Sequence, residues 1–356
     1  MTQDNPSSWL AAHLYYNEPW ERLLIESVLP FAEIIKQTGI AESWFFIRYW
    51  DRGPHIRLRF KATPTVIEQM LRSNTEEHFL NYFQSVPSFR TDPPYPAGIP
   101  ESYKWLPNNS VCFEAYFPEY QRYGGEAGVG IAEEQFALSS KIILKYIEST
   151  GQQWSYDDSL GTAIKLHLSF LKSAGLNYKA VISFLKFYFE NWLPHAIVLE
   201  PGERDATVIQ KKKIETLQQF SDAYDLQKES LISFHKTLWK GLQQEEDTFV
   251  DVLLVEWIRE NKLILNNLQQ AEKENHLEAR HEDFAYQKTK DHPFYQPLWD
   301  HYADYMHMTN NRLGVQNKDE GYLGYLMLSA MEELETSDDE EGRGGYVGKG
   351  SFISLE

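Results

Sequence analysis

The chain has 356 residues, 42% hydrophobic and 14% aromatic, and carries a net charge of −18 from 52 acidic against 34 basic residues. That balance is ample for a sizeable core and argues against general nucleic-acid binding, which needs an extensive basic footprint; a local basic pocket is still compatible with it. One cysteine, Cys112, excludes an intramolecular disulfide and any zinc site built on several thiolates.

No run approaches the ~20 apolar residues that span a bilayer. The opening MTQDNPSSW lacks a basic region followed by an apolar one, so no secretory signal is visible and a cytoplasmic protein is expected. In chain order, residues 9–16 (WLAAHLYY) read as a first strand. Residues 20–36 form an amphipathic helix, with Leu23, Leu24, Val28, Phe31 and Ile35 at near-helical spacing. A hairpin is expected over 44–61, then a helix from Thr65 to about Phe83. The prolines of 87–110 mark a long ordered loop, and 111–117 (VCFEAYF) alternates as another strand. From Gly130 onward the pattern is helical, over 131–149, 159–173, 178–192, 208–220, 225–241, 246–273, 296–312 and 319–335. Pro194 and Pro201 read as a connection. The expected class is α+β: a small mixed sheet with a hairpin near the N-terminal half, packed against a predominantly helical remainder. One domain is expected over 1–335, followed by a disordered acidic and glycine-rich tail over 336–356.

The hairpin is the most informative stretch: WFFIRYWDRGPHIRLRF, with Asp51, Arg52, Gly53 and Pro54 clustered at the turn. Side chains alternate faces along a strand, so His55, Arg57 and Arg59 share one face while Ile56, Leu58 and Phe60 point into a core. Three groups able to carry positive charge on a rigid sheet are either a solvated face or an anion site. Arginine's planar fork suits carboxylates and phosphates.

Two further stretches bear chemistry. In EYQRYGG, Glu119 and Arg122 fall on one side of a single turn, and Gly124–Gly125 permits tight backbone geometry. Alone, such a pair also fits a local surface ion pair. On a helix over 298–314, Asp300, Asp304, His307 and Asn311 form a polar stripe beside Trp299, Tyr302, Met306 and Leu313. The spacing lets Asp304 hydrogen-bond His307 and tune its charge, as histidine in general titrates near neutrality; from spacing alone a structural or surface histidine is the commoner reading. His301 and His307 are not four apart and no HExxH occurs, so a helix-borne zinc site is unsupported. No P-loop, GxSxG or dinucleotide fingerprint is present either.

Taken in order, WFFIRYWDRGPHIRLRF, EYQRYGG and HMTNNRLG resemble the C-terminal elimination domain of lantibiotic dehydratases, a domain type also found alone in thiopeptide and split-dehydratase pathways. The resemblance runs over nearly the whole chain and excludes only the acidic tail. It implies removal of glutamate from glutamylated Ser or Thr of a ribosomally made precursor peptide, leaving dehydroalanine or dehydrobutyrine. By motif, it assigns Arg57, Arg59, Glu119, Arg122 and His307 to the site, with no cofactor and no metal. A separate subunit using glutamyl-tRNA is the implied partner that glutamylates the peptide, with no direct nucleic-acid contact by this chain. The same resemblance leaves two alternatives: a thiopeptide-type cyclase joining two dehydroalanines in a formal [4+2] cycloaddition, and a non-catalytic partner that presents the peptide.

Overall fold

The computed structural model describes residues 6–243, 251–280 and 296–342. In chain order these form β1 (Ser8–Tyr15), then α1 (Glu21–Leu23), which runs through a π turn at Leu24–Val28 into α2 (Leu29–Gln37). The hairpin follows as β2 (Ser43–Tyr49) and β3 (His55–Ala62). Next, α3 (Pro64–Val66) continues through a second π turn at Ile67–Leu71 into α4 (Arg72–Ser85). The proline-rich segment leads to β4 (Ser110–Glu114), the short α5 (Tyr120–Tyr123) and the long α6 (Gly125–Thr150). The remaining helices are α7 (Tyr156–Ser173), α8 (Tyr178–Ala196), α9 (Ala206–Gln243), α10 (Val252–Lys273), α11 (Trp299–Leu313) and α12 (Asn317–Gly342). Among the described residues, no helix is long and apolar enough to cross a membrane.

The α+β class holds, and the sheet has the order β2-β3-β1-β4. All three pairings are antiparallel, so the sheet is not mixed. Its apolar face is the one the alternation marks: Ile56, Leu58 and Phe60 are fully buried beside Leu14 and Phe46. Phe31 of α2 meets Phe60 edge-on at 5.8 Å and Phe79 of α4 at 5.5 Å, which seats the two helices on that face. The outer edge of β2 is closed by side chains. Phe46 donates its backbone N–H to Ser140 Oγ of α6 at 3.1 Å. Arg48 N donates to Asn311 Oδ1, and Asn311 Nδ2 donates back to the Arg48 carbonyl, both at 2.9 Å. An amide side chain thus replaces a missing strand and satisfies one residue of an edge that would otherwise invite mispairing.

Where the sequence drew no boundary inside 1–335, the contacts group the elements into two compact units. One holds the chain up to Leu176 and returns for 251–316, and it contains the whole sheet. The other holds α8, α9 and α12. Within it, Tyr188 donates to the buried Glu320 carboxylate at 2.7 Å, and α12 packs along α8.

Several boundaries differ from the expected ones. The segments 208–220 and 225–241 are one helix, α9. Pro194 lies inside the last turn of α8, and not in the connection that contains Pro201. Strand β4 stops at Glu114. Helix α12 continues to Gly342, into the segment assigned to the tail, while 343–356 lie outside the described residues.

Candidate active site

The polar face of the sheet carries the arginines. Antiparallel register places His13 opposite Arg57 and Ala11 opposite Arg59 on β1, and Ile47 and Phe45 opposite them on β2. Arg57 lies over the Tyr49 ring, its Cζ 3.5 Å from the centroid, and donates through Nε to His55 Nε2 at 3.1 Å. Arg59 sits over Tyr116 at 4.4 Å and Phe45 at 5.2 Å, and its buried Nε has no hydrogen-bond partner. Burial pushes the Arg59 guanidinium down to about 10. A group so desolvated gains from any anion that reaches it.

The second part of the site is the turn before α6. Gly124 has φ +79°, a left-handed conformation that side-chain-bearing residues rarely adopt, and Gly125 has φ +81°. A Cβ on Gly125 would lie 2.6 Å from the Glu278 side chain, and Glu278 N donates to the Gly124 carbonyl at 2.9 Å. The turn is therefore pressed against the segment that carries Glu278 and Arg280. Glu119 precedes α5, half of its side chain in solvent, with Oε2 3.8 Å from Arg122 Nη1.

Arg122 takes its main partner from α11. It donates to Asp304 Oδ1 through Nε at 3.1 Å and Nη2 at 2.8 Å, while Arg280 Nη2 donates to Asp304 Oδ2 at 2.7 Å. Burial alone would raise the Asp304 carboxyl, but the two guanidiniums hold it below the usual carboxylate range. The polar stripe expected on this helix is not solvated: Asp300 and Asp304 are buried, and His307, one turn beyond Asp304, is half-buried.

On the same side of the sheet, against Phe45, lies Arg312, entirely buried. Its Nε donates to Ser140 Oγ at 2.9 Å and its Nη1 to the Met308 carbonyl at 2.7 Å. Its Nη2 has no partner, and burial pushes the group down to about 9. Glu133 of α6 closes the other end, 3.9 Å from Lys61 and hydrogen-bonded by Tyr116; burial raises its carboxyl in spite of Lys61.

All five residues singled out from the sequence thus belong to one compact unit. Arg57 and Arg59 share a strand face, Glu119 and Arg122 share a turn, and His307 lies on the helix that anchors Arg122. The sequence reading missed Arg280, Arg312, Glu133 and Tyr116, and it treated Asp304 as a neighbour of His307 without seeing it as the anchor of Arg122. Arg312 stands inside the quoted HMTNNRLG stretch, a signal that was available. Arg280 had none. Among the described residues, neither Arg57, Arg59 nor Arg312 takes part in an ion pair, and no three His, Cys, Asp or Glu side chains are grouped to hold a metal ion. Guanidiniums in such a setting have the chemistry to receive a carboxylate or another compact anion.

A profile of the family described as Lantibiotic biosynthesis dehydratase C-term matches residues 9–331. The nisin biosynthesis protein NisB of Lactococcus lactis subsp. lactis is 25% identical over 188 residues, which cover 50% of this chain and 16% of NisB, so the match spans only a small part of that relative. Among solved structures, the pyridine synthase TbtD from thiomuracin biosynthesis has a TM-score of 0.69 at 16% identity, over 92% of this chain and 99% of TbtD. TsrL gives a TM-score of 0.64 at 21% identity, over 93% and 96% of the two chains. The tRNA-dependent lantibiotic dehydratase MibB from Microbispora sp. 107891 gives 0.57 at 15% identity, over 95% of this chain and 29% of MibB. With three motifs in order, the fold these structures share and a profile match from the first strand into the last helix, this chain belongs to the lantibiotic dehydratase C-terminal family.

Proposed function

We propose that this chain removes glutamate from glutamylated Ser or Thr of a precursor peptide, leaving dehydroalanine or dehydrobutyrine. The observation that carries the reading is the pair Arg57 and Arg59, two guanidiniums on one rigid strand that take part in no ion pair among the described residues. In the reaction, a base takes the Cα proton, that electron pair forms the Cα–Cβ double bond, and the Cβ–O bond breaks. Glutamate departs with a carboxylate at each end of its chain. The two arginines, Arg59 desolvated by burial, stabilise charge that grows on the leaving oxygen and bind the distant carboxylate throughout. Arg122, held by Asp304 and flanked by Glu119, supplies a third cation of fixed direction. His307 serves proton transfer, since an imidazole has one ring nitrogen to accept a proton and another to donate one. The glutamate ester is made elsewhere, by a separate glutamyl-tRNA-dependent subunit, and the reaction needs no cofactor and takes place in the cytoplasm.

The test is direct. The purified chain, given a synthetic glutamyl-Ser form of its cognate peptide and any required partner subunit, should yield dehydroalanine and free glutamate without tRNA or ATP. Mass spectrometry that finds the ester unchanged overturns the reading. A second reading comes from the fold shared with a pyridine synthase over 99% of that chain: joining of two dehydroalanines into a six-membered nitrogen ring. That reaction releases no glutamate and leaves the arginine pair without a dianion to meet. Turnover of a bis-dehydroalanine peptide, with the glutamyl ester untouched, would favour it.

A further inference from the structure

The strand that carries Arg57 also carries the group that aims it. Arg57 Nε donates to His55 Nε2 at 3.1 Å, and His55 Nδ1 lies 2.8 Å from the Gly53 carbonyl oxygen. A carbonyl only accepts, so Nδ1 carries the proton, and Nε2 of the neutral ring is left as the acceptor Arg57 requires. The ring itself is fully buried and fixed from several sides. It stacks on Tyr15 at 4.5 Å and on His13 at 5.1 Å, and meets Tyr49 edge-on at 5.6 Å.

The turn sets the direction of that carbonyl. Gly53 has φ +106°, and a Cβ there would come within 2.9 Å of Arg90 and 3.3 Å of Trp105. Only glycine fits this place in the DRGP turn. Burial, with the Arg57 charge adding, pushes His55 down to about 4 against the Gly53 hydrogen bond, so the ring remains an acceptor across neutral pH. A histidine that merely filled the core would have no need of an arginine as its donor.

We propose that His55 is a positioning residue: the series Gly53 carbonyl, His55 ring, Arg57 guanidinium fixes Arg57 so that its remaining N–H groups face the leaving glutamate. This rests on the elimination reading for what Arg57 meets, and on geometry alone for how Arg57 is held.

Two substitutions separate positioning from packing. His55→Gln keeps an acceptor near the Nε2 position and loses the stacked ring; His55→Phe keeps the ring and loses the acceptor. In the glutamyl-ester assay, His55→Gln should stay within about fivefold of the parent kcat/KM, and folded His55→Phe should fall at least about tenfold. The double variant His55→Phe/Arg57→Ala should be no slower than Arg57→Ala, because both changes remove the same interaction. The reverse order, with His55→Phe active and His55→Gln impaired, overturns the proposal, as does an additive double variant. Nitrogen-15 NMR of the parent protein at pH 7 reads the ring without any turnover: the Nδ1–H tautomer is expected, and an Nε2–H tautomer or a charged ring overturns the proposal even where His55→Phe does not fold. A parent protein that leaves the ester intact defeats the elimination reading only, and the NMR result still decides the role of His55.

Discussion

Asp304 is buried on α11, and its two oxygens accept from different arginines, Oδ1 from Arg122 and Oδ2 from Arg280. Asp304→Asn removes a charge shared by two guanidiniums in a desolvated place. Breaking a buried ion pair from one side costs about 3–5 kcal/mol, and a loss of that size is expected in urea denaturation; an unchanged midpoint would show that the clamp does not stabilise the fold. The strand arginines should behave differently, since they have no carboxylate partner to strand. Arg57→Ala or Arg59→Ala is expected to cost less stability than Asp304→Asn, through the buried His55 acceptor or the Tyr116 and Phe45 stacking that each leaves unmet, and to lower elimination roughly 10- to 150-fold, about the 1.5–3 kcal/mol of a hydrogen bond to a charged group. Normal kinetics in both variants would return this face to ordinary surface. His307→Ala, if the ring transfers a proton, should slow the reaction by about 10²- to 10⁴-fold and let the glutamylated peptide accumulate, while full-rate elimination by the folded variant would remove the ring from the mechanism.

Among the elements, β2 depends most on side chains for its backbone hydrogen bonds. Asn311→Leu takes away both bonds to Arg48 and leaves a part-buried N–H and C=O unmet, at a cost of about 1–3 kcal/mol in denaturant unfolding. A variant as stable as the parent would mean that water replaces the amide without loss. The strands were readable because their signal is local: in β3 every second residue is apolar, and the two faces separate by inspection. The expected ranges 208–220 and 225–241 left a break between two helices, yet α9 continues through it. Tyr224 is buried and meets Tyr325 at 6.4 Å, so packing outweighs a weak local preference. The site was legible by half for the same reason. Periodicity finds Arg57 beside Arg59 and Glu119 near Arg122, whereas Arg122 and Asp304 are 182 residues apart, beyond the reach of any spacing rule. Arg280 lies 24 residues before Asp304, outside α11, and is equally out of reach of helical or strand spacing.

At the scale of the molecule, burial favours the neutral form of several described histidines: His13 is pushed down to about 3, and His55, His235 and His301 to about 4, in each case chiefly by burial. An unfolded histidine binds its proton near 6.5, so between that pH and about 4 the unfolded chain takes up more protons than the folded one. Their contribution to stability is complete above pH 6.5 and lost progressively as the pH falls. Calorimetry should therefore find a melting temperature nearly flat from pH 8 to 7 and declining from 6.5 towards 5; a flat profile on the acid side would contradict the burial of these rings. The edge of β2 carries a consequence of another kind. Arg48 waits for Asn311, 263 residues later in the chain. At a synthesis rate of roughly 5–20 residues per second, α11 leaves the ribosome about 13–50 s after the hairpin has been made. For that interval the hairpin bears an open strand edge, and errors of strand pairing during biosynthesis should originate there.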